Sequence, residues 1–254
     1  MPSPQLPVEI AVQDSAGVRI ALDAGAARVE LCQALALGGL TPSAGLVEAA
    51  VEAARSAGTA GFVHVLVRPR GGGFVYDADE RADIVREIRA AARLGADGVV
   101  VGALAEDGAL DLEALARFVD AAGGLDVTVH RAVDAAADPV AAVSALPGRG
   151  IRRVLTSGGA PDCRRGLPGL ERMRAAVGDD LELMAGGGVR VEDIRALASA
   201  RVDAVHLSAR RTEIRGAGGP GGGVDGFDAT DGALVAAAVA AAAAAAVELT
   251  EAGA

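Results

Sequence analysis

Seven consecutive residues, Thr128-Val129-His130-Arg131-Ala132-Val133-Asp134, set an imidazole, a guanidinium and a carboxylate directly after a short apolar run. Charges inside a buried strand are costly unless paired, so ionisable groups where a strand stops suggest a site rather than a support. His130 suits general acid–base work near neutral pH. Glu30, two residues before Cys32, could share that role or orient it. Arg68 and Arg70 could clamp a carboxylate or phosphate through paired N–H bonds. Arg131 and Asp134 could pair with each other or with neighbours. Glu9, Glu30, Arg68, His130 and Asp134 are therefore the catalytic candidates. No Ser-His-Asp or Cys-His nucleophile arrangement can be established from the spacings.

A second signal lies further along. Gly186-Gly187-Gly188 leaves backbone N–H groups bare ahead of an expected helix, and Ser208-Ala209-Arg210 adds a hydroxyl and a cation. Backbone N–H groups in that setting bind phosphate. Arg70, Thr156, Ser157, Gly187, Gly188, Ser208 and Arg210 are the expected substrate-binding residues. A metal is the weaker reading. Cys32 is soft enough for Cu(I), with His130 or His206 as partners, but no paired-cysteine or paired-histidine spacing supports it. A buried free thiol is the alternative.

The elements that must position these groups alternate. Apolar runs at residues 8–12, 28–32, 62–68, 97–101, 125–129, 151–156, 181–185 and 202–207 read as strands. Between them lie amphipathic stretches. Ile84, Ile88, Ala91 and Leu94 mark the clearest one, and Asp14, Asp111 and Asp138-Pro139 supply caps. Strict alternation implies parallel strands with crossover helices, and about eight repeats in one 254-residue chain imply a single-domain α/β fold, the (β/α)8 TIM barrel. A doubly wound open sheet is the runner-up. Residues 1–7 read as a tail and 8–250 as the barrel. The glycine-rich segment 216–223 could close over the mouth or hang free.

In such a barrel the site lies at the strand carboxyl ends, and residues two apart share a face. Glu9, Glu30 with Cys32, His64 with Arg68, Thr128 with His130, Thr156, and His206 with Ser208 can all point inward. Any one could be a satisfied core group; the clustering points to a site.

The 51% hydrophobic content supplies a core that must be built from Ala, Val and Leu, since aromatics are 2%. A net charge of −10 argues against a nucleic-acid partner. Two cysteines suit a reducing cytosol. The alanine-rich run 233–247 is shorter than the roughly 20 residues that span a bilayer, so no membrane partner is expected.

Several stretches together resemble the CutC family: Gly25-Ala26-Ala27-Arg28-Val29-Glu30-Leu31-Cys32, Gly38-Gly39-Leu40-Thr41-Pro42-Ser43, Val67-Arg68-Pro69-Arg70-Gly71-Gly72-Gly73-Phe74, Thr128-Val129-His130-Arg131-Ala132, and His206-Leu207-Ser208-Ala209-Arg210. The resemblance implies a TIM-type barrel, a cytoplasmic setting, self-association as a homo-oligomer, simplest as a dimer, and a part in copper homeostasis. Copper is then the implied cofactor and Cys32 its ligand. Family members often carry a cysteine beside the first-strand glutamate; here that position is Ala11. The polar mouth matches throughout. Three functions are therefore weighed: copper handling through Cys32, an enzyme acting on a small anionic or phosphorylated ligand at the mouth, and a non-catalytic scaffold.

Overall fold

Eight four- or five-residue strands, nearly all fully buried, close into a parallel barrel in sequence order: β1 (Val8–Val12), β2 (Arg28–Leu31), β3 (Val63–Leu66), β4 (Gly98–Val101), β5 (Asp126–Val129), β6 (Arg153–Thr156), β7 (Glu182–Gly186) and β8 (Ala204–Leu207). Pairing of β1 with β8 completes the cylinder. The computed structural model describes residues 6–214, 216 and 226–252. Helices α1 (Ser15–Asp23), α2 (Ala44–Ser56), α3 (Ala78–Leu94), α4 (Leu112–Ala122), α5 (Pro139–Ser144), α6 (Cys163–Val177), α7 (Ile194–Ser199) and α8 (Gly232–Ala252) form the outer ring.

Local chemistry starts these helices where the sequence placed them. The Asp14 side chain accepts from the Gly17 N–H (2.7 Å) and Asp111 from Ala114 (2.9 Å). Asp77 and Glu80 form a reciprocal capping box on α3. Outward strand residues meet the apolar helix faces in one continuous core that includes Val29, Phe62, Val99, Phe118 and Leu183. α8 is long and apolar enough to cross a membrane by composition, yet Val235, Ala238 and Ala242 are buried as it packs against α7, α1 and β1.

Two features depart from the sequence reading. Between β8 and α8 the chain builds an antiparallel ribbon, β9 (Arg210–Ile214) with β10 (Gly226–Thr230), where only a loose segment was expected. Its polar stretch Arg210-Arg211-Thr212-Glu213 carries no apolar alternation to signal a strand. Apart from Gly216, the segment 216–223 weighed as a lid lies outside the described residues. The second departure is the facing of β6. Arg153 pairs in register with Thr128 and donates to its hydroxyl inside the barrel (3.2 Å), so Arg153 and Leu155 face inward. Thr156, expected inward, faces α6 instead, with Oγ1 3.7 Å from the Met173 sulfur.

Candidate functional site

A cavity of about 270 Å³ opens where the strands end, lined by residues from both the strands and the loops that follow them. Its walls fall into three arcs of different chemistry.

The first arc belongs to β8, β1 and β2. Glu9 is fully buried in the barrel, where Arg28 Nε donates to its Oε2 (2.6 Å). On the other oxygen Glu9 meets His206 Nδ1 at 2.8 Å. Burial acts to raise the Glu9 pKa, but the His206 hydrogen bond and the Arg28 charge outweigh it and hold the carboxyl well below the usual range. An ionised carboxylate can only accept, so Nδ1 carries a proton and Nε2 faces outward. That Nε2 lies 3.9 Å from Glu30 Oε2. Burial and the Glu9 charge push Glu30 up to about 7. His206 rises despite its burial, through the Glu30 charge and the Glu9 hydrogen bond. Glu30 and His206 are therefore poised to share a proton near neutrality.

The second arc comes from the ends of β3 and β5. The Arg68 guanidinium donates to the carbonyls of Leu37 and Gly39 (both 3.1 Å) and Gly72 (2.8 Å). Among the described residues its Nε makes no hydrogen bond, and neither does the Tyr76 hydroxyl that interacts with the Arg68 side chain. His130 begins a 3-10 turn, Arg131–Ala135, and its Nδ1 accepts the Ala132 N–H at 3.1 Å. The neutral ring must then carry its proton on Nε2, which also has no partner. Burial, aided by the Arg68 charge, lowers His130 to about 3 and keeps it neutral. His130 leans across β4, filling space that Gly102 leaves: a Cβ there would sit 2.5 Å from the ring. Phe74 covers both groups, 4.9 Å from the His130 ring centroid and 5.2 Å from Arg68 Cζ.

The third arc follows β7 and β8. Gly187, Gly188, Val189, Ser208 and Arg210 line it, with Arg131 reaching over from β5. Gly187 (φ 117°) and Gly188 (φ 65°) hold backbone conformations that side chains rarely adopt. Among the described residues the N–H groups of Gly187, Gly188 and Ser208 donate to no acceptor. The expected helix is only a 3-10 turn, Val191–Asp193, running into the six-residue α7, so the bare amides rather than a helix end supply this arc's polarity.

The barrel thus brings Glu30, Arg68, His130, Gly187, Gly188, Ser208 and Arg210 to one pit, with Glu9 directly beneath. Four anticipated side chains sit elsewhere. Asp134 accepts from Thr156 Oγ1 (2.5 Å), Ser157 N–H (2.9 Å), Gly159 N–H (3.0 Å) and Arg131 Nε (2.9 Å), which spends its lone pairs on the loop after β6. Thr156 and Ser157 are bound up in that loop. There Gly166 of α6 lies so close that a Cβ would sit 1.7 Å from the Ser157 carbonyl oxygen. Arg70 pairs with Glu80, donates to the Gly73 and Val75 carbonyls and does not line the cavity. Two lining residues were given no acid–base or anion role from sequence. His206 draws its role from Glu9, 197 positions away. Arg131, expected to pair with Asp134, does so and also lies over Gly187, where a Cβ would be 2.8 Å from its Cζ.

Copper can be tested on the donor chemistry. The Cys32 thiol donates to the Val12 carbonyl (3.5 Å) and packs among Leu66, Val100 and Leu35. Burial, then the Glu30 charge, pushes the thiol well above its ordinary pKa, whereas Cu(I) binds thiolate. Cys163, pushed up to about 12 by burial, lies at the start of α6 with its Sγ 3.8 Å from the Thr156 carbonyl. Among the described residues no three His, Cys, Asp or Glu side chains are grouped to hold a metal. The residues present do not fit a copper centre.

Comparison with known proteins agrees with this architecture. The CutC family profile matches residues 6–211. A family protein CutC from Photobacterium profundum is 35% identical over 81% of this chain and 82% of its own length. One from Agrobacterium fabrum is 42% identical over 75% and 73%. A solved structure named as a candidate copper homeostasis protein CutC from Streptococcus agalactiae has a TM-score of 0.75 at 28% identity, covering 80% of this chain and 98% of that one. Thiamine phosphate pyrophosphorylase from Pyrococcus furiosus, at TM-score 0.60 and 14% identity over 95% and 98%, shares the fold alone. A profile match over most of the barrel, with relatives above a third identical across most of their own length, makes this chain a member of the CutC family.

Proposed function

We propose that this protein is an enzyme that binds a small anion in the barrel mouth and moves a proton on it. One observation carries the reading. A carboxyl pushed up to about 7 lies 3.9 Å from a histidine nitrogen in the wall of a cavity also lined by Arg68 and His130, each of which keeps a buried N–H without a hydrogen-bond partner. General acid–base catalysis works best when the group's pKa lies near the operating pH. Structural ion pairs do not need that tuning, and unpartnered buried donors cost stability unless a ligand supplies acceptors.

In this reading Glu30 and His206 transfer the proton, and Glu9 with Arg28 holds the His206 ring in one orientation. Gly187, Gly188, Ser208, Arg131 and Arg210 receive the anionic group, whether carboxylate or phosphate. Arg68 and His130 donate to a further oxygen. The setting is the cytosol, which suits two cysteines that are both buried free thiols. Self-association, simplest as a homodimer, belongs to the same reading and is measured by light scattering on the eluting species.

The streptococcal relative is named for copper homeostasis, and that is the cellular setting we carry over to this chain. Direct copper binding through Cys32 is the competing reading, which the apolar setting of that thiol and the neighbouring Glu30 charge disfavour. A thermal-shift screen of phosphorylated and carboxylated metabolites beside Cu(I) separates the two, because a ligand raises stability by mass action. Stabilisation by an anion that is lost in Gly187→Ala supports the enzyme. Stabilisation by Cu(I) alone, lost in Cys32→Ala, overturns it.

A further inference from the structure

The division of the pit into three arcs restricts the substrate further, given the enzyme reading above. We propose that the substrate is a small anion carrying a carbonyl group beside a C–H bond, and that the reaction passes through an enolate whose oxygen is held by Arg68 and His130.

The second arc contains two buried N–H donors, Arg68 Nε and His130 Nε2, that make no hydrogen bond among the described residues; the Tyr76 hydroxyl, which interacts with the Arg68 side chain, is likewise unpartnered. Both side chains are more than nine-tenths buried, and both line the cavity. The Arg68 guanidinium hydrogen-bonds three carbonyls and no carboxylate. A cation and a neutral imidazole N–H fixed beside each other suit an oxygen on which negative charge develops. His130 is locked into the donating tautomer by the Ala132 N–H and stays neutral, so it stabilises the oxyanion as a fixed dipole. Phe74 lies against both donors, and the carbonyl oxygen enters where its ring now rests.

The composition supplies an independent constraint. All 24 basic side chains are arginine, and the chain has no lysine. A carbonyl compound here cannot be activated as a lysine imine, so acidity at the neighbouring carbon must come from donors to the carbonyl oxygen itself.

The step balances without a co-reactant. A Glu30 carboxylate oxygen takes the proton, and the C–H bond breaks. Its electron pair forms the C=C bond while the carbonyl π pair moves onto oxygen, which receives the Arg68 and His130 N–H groups. Glu30, or His206 through Nε2, returns a proton to carbon. Return to the other face gives epimerisation. Where the reacting carbon carries a hydroxyl, its O–H proton passes to the enolate oxygen, that carbon becomes the new carbonyl, and return of the proton to the former carbonyl carbon gives isomerisation; the anionic group stays on the third arc.

The test uses the full chain and three probes: phosphoglycolohydroxamate, oxalate and inorganic phosphate. The first two mimic an enediolate and a 2-oxoacid enolate. Calorimetry should find at least one enolate mimic bound about 100-fold or more tighter than phosphate. His130→Ala should weaken that mimic roughly 10- to 100-fold and leave phosphate binding unchanged. Should His130→Ala fail to fold by circular dichroism, His130→Gln replaces it and should retain part of the preference. Phosphate binding with no preference for either mimic would overturn the enolate and leave the anion-binding enzyme standing. Binding of none of the three at millimolar concentration would overturn both. In D2O, wild type should exchange the carbon-bound protons of dihydroxyacetone phosphate or hydroxypyruvate, and Glu30→Gln should not, while still binding the mimic. Exchange undiminished in Glu30→Gln would also overturn the proposal.

Discussion

The β8–β1–β2 wall of the pit and the wall at the ends of β3 and β5 each present one buried histidine to the same cavity, and each wall treats it differently. His206 stands between Glu9 and Glu30, and the two carboxylates raise its pKa against the effect of burial. His130 stands beside Arg68 with no carboxylate partner, and burial together with that charge lowers it to about 3. Burial is common to both; the sign of the neighbouring charge decides the outcome. One wall holds a mobile proton and the other holds fixed donors. Side chains of the same type thus take the two roles an acid–base reaction at a polarised oxygen requires.

Removing the mobile proton should have the largest effect. Glu30→Gln should lower proton exchange on any substrate found by the screen roughly 10²- to 10⁴-fold, read by NMR, with substrate binding retained. A smaller loss would shift the acid–base role to His206 alone.

The pH dependence of stability separates the walls by sign. Glu30 titrates at about 7 in the fold against an ordinary 4.5, so the folded state holds its proton longer. Its ionised form therefore costs stability, beginning above pH 4.5 and complete above pH 7, by up to about 3 kcal/mol. Urea unfolding at pH 5 and pH 8 should show wild type losing stability relative to Glu30→Gln as pH rises. His130 acts in the opposite direction. Only the unfolded chain protonates this residue between pH 6.5 and 3, so stability is lost as pH falls through that window, and His130→Gln should lessen the loss.

The remaining substitutions touch the loop after β6, the third arc and the apolar cluster at Cys32. Asp134→Ala would strand the donors of Thr156, Ser157, Gly159 and Arg131, at a cost of roughly 2–4 kcal/mol in chemical denaturation. Gly187→Ala adds a Cβ at φ 117° against Arg131 and should cost about 1 kcal/mol while weakening anion binding. Cys32→Ala should leave Cu(I) uptake unchanged, since the thiol is held protonated in an apolar cluster.

Much of this was legible in the residues. Apolar runs and aspartate caps gave the eight strands and several helix starts, and the period of two placed Glu9, Glu30, Arg68, His130 and Ser208 on the inner face. The inner face of β6 was misread because Arg153 is a charge where a barrel interior disfavours one; it is tolerated because Glu182 and Thr128 meet it. Thr156 consequently faces the helices. The reach of Asp134 into the next loop, and the dependence of His206 on Glu9, are tertiary contacts with no local pattern. The β9–β10 ribbon was missed because its polar residues resemble a loop.

The opposite tuning of the two histidines is tested most directly by ¹⁵N NMR of the imidazoles from pH 4 to 9. His130 should remain a neutral Nε2–H tautomer across that range, while His206 keeps Nδ1 protonated throughout and gains its second proton at a pH above the ordinary 6.5. A His130 ring that becomes cationic near pH 6, or a His206 ring still neutral at pH 5, would contradict the account.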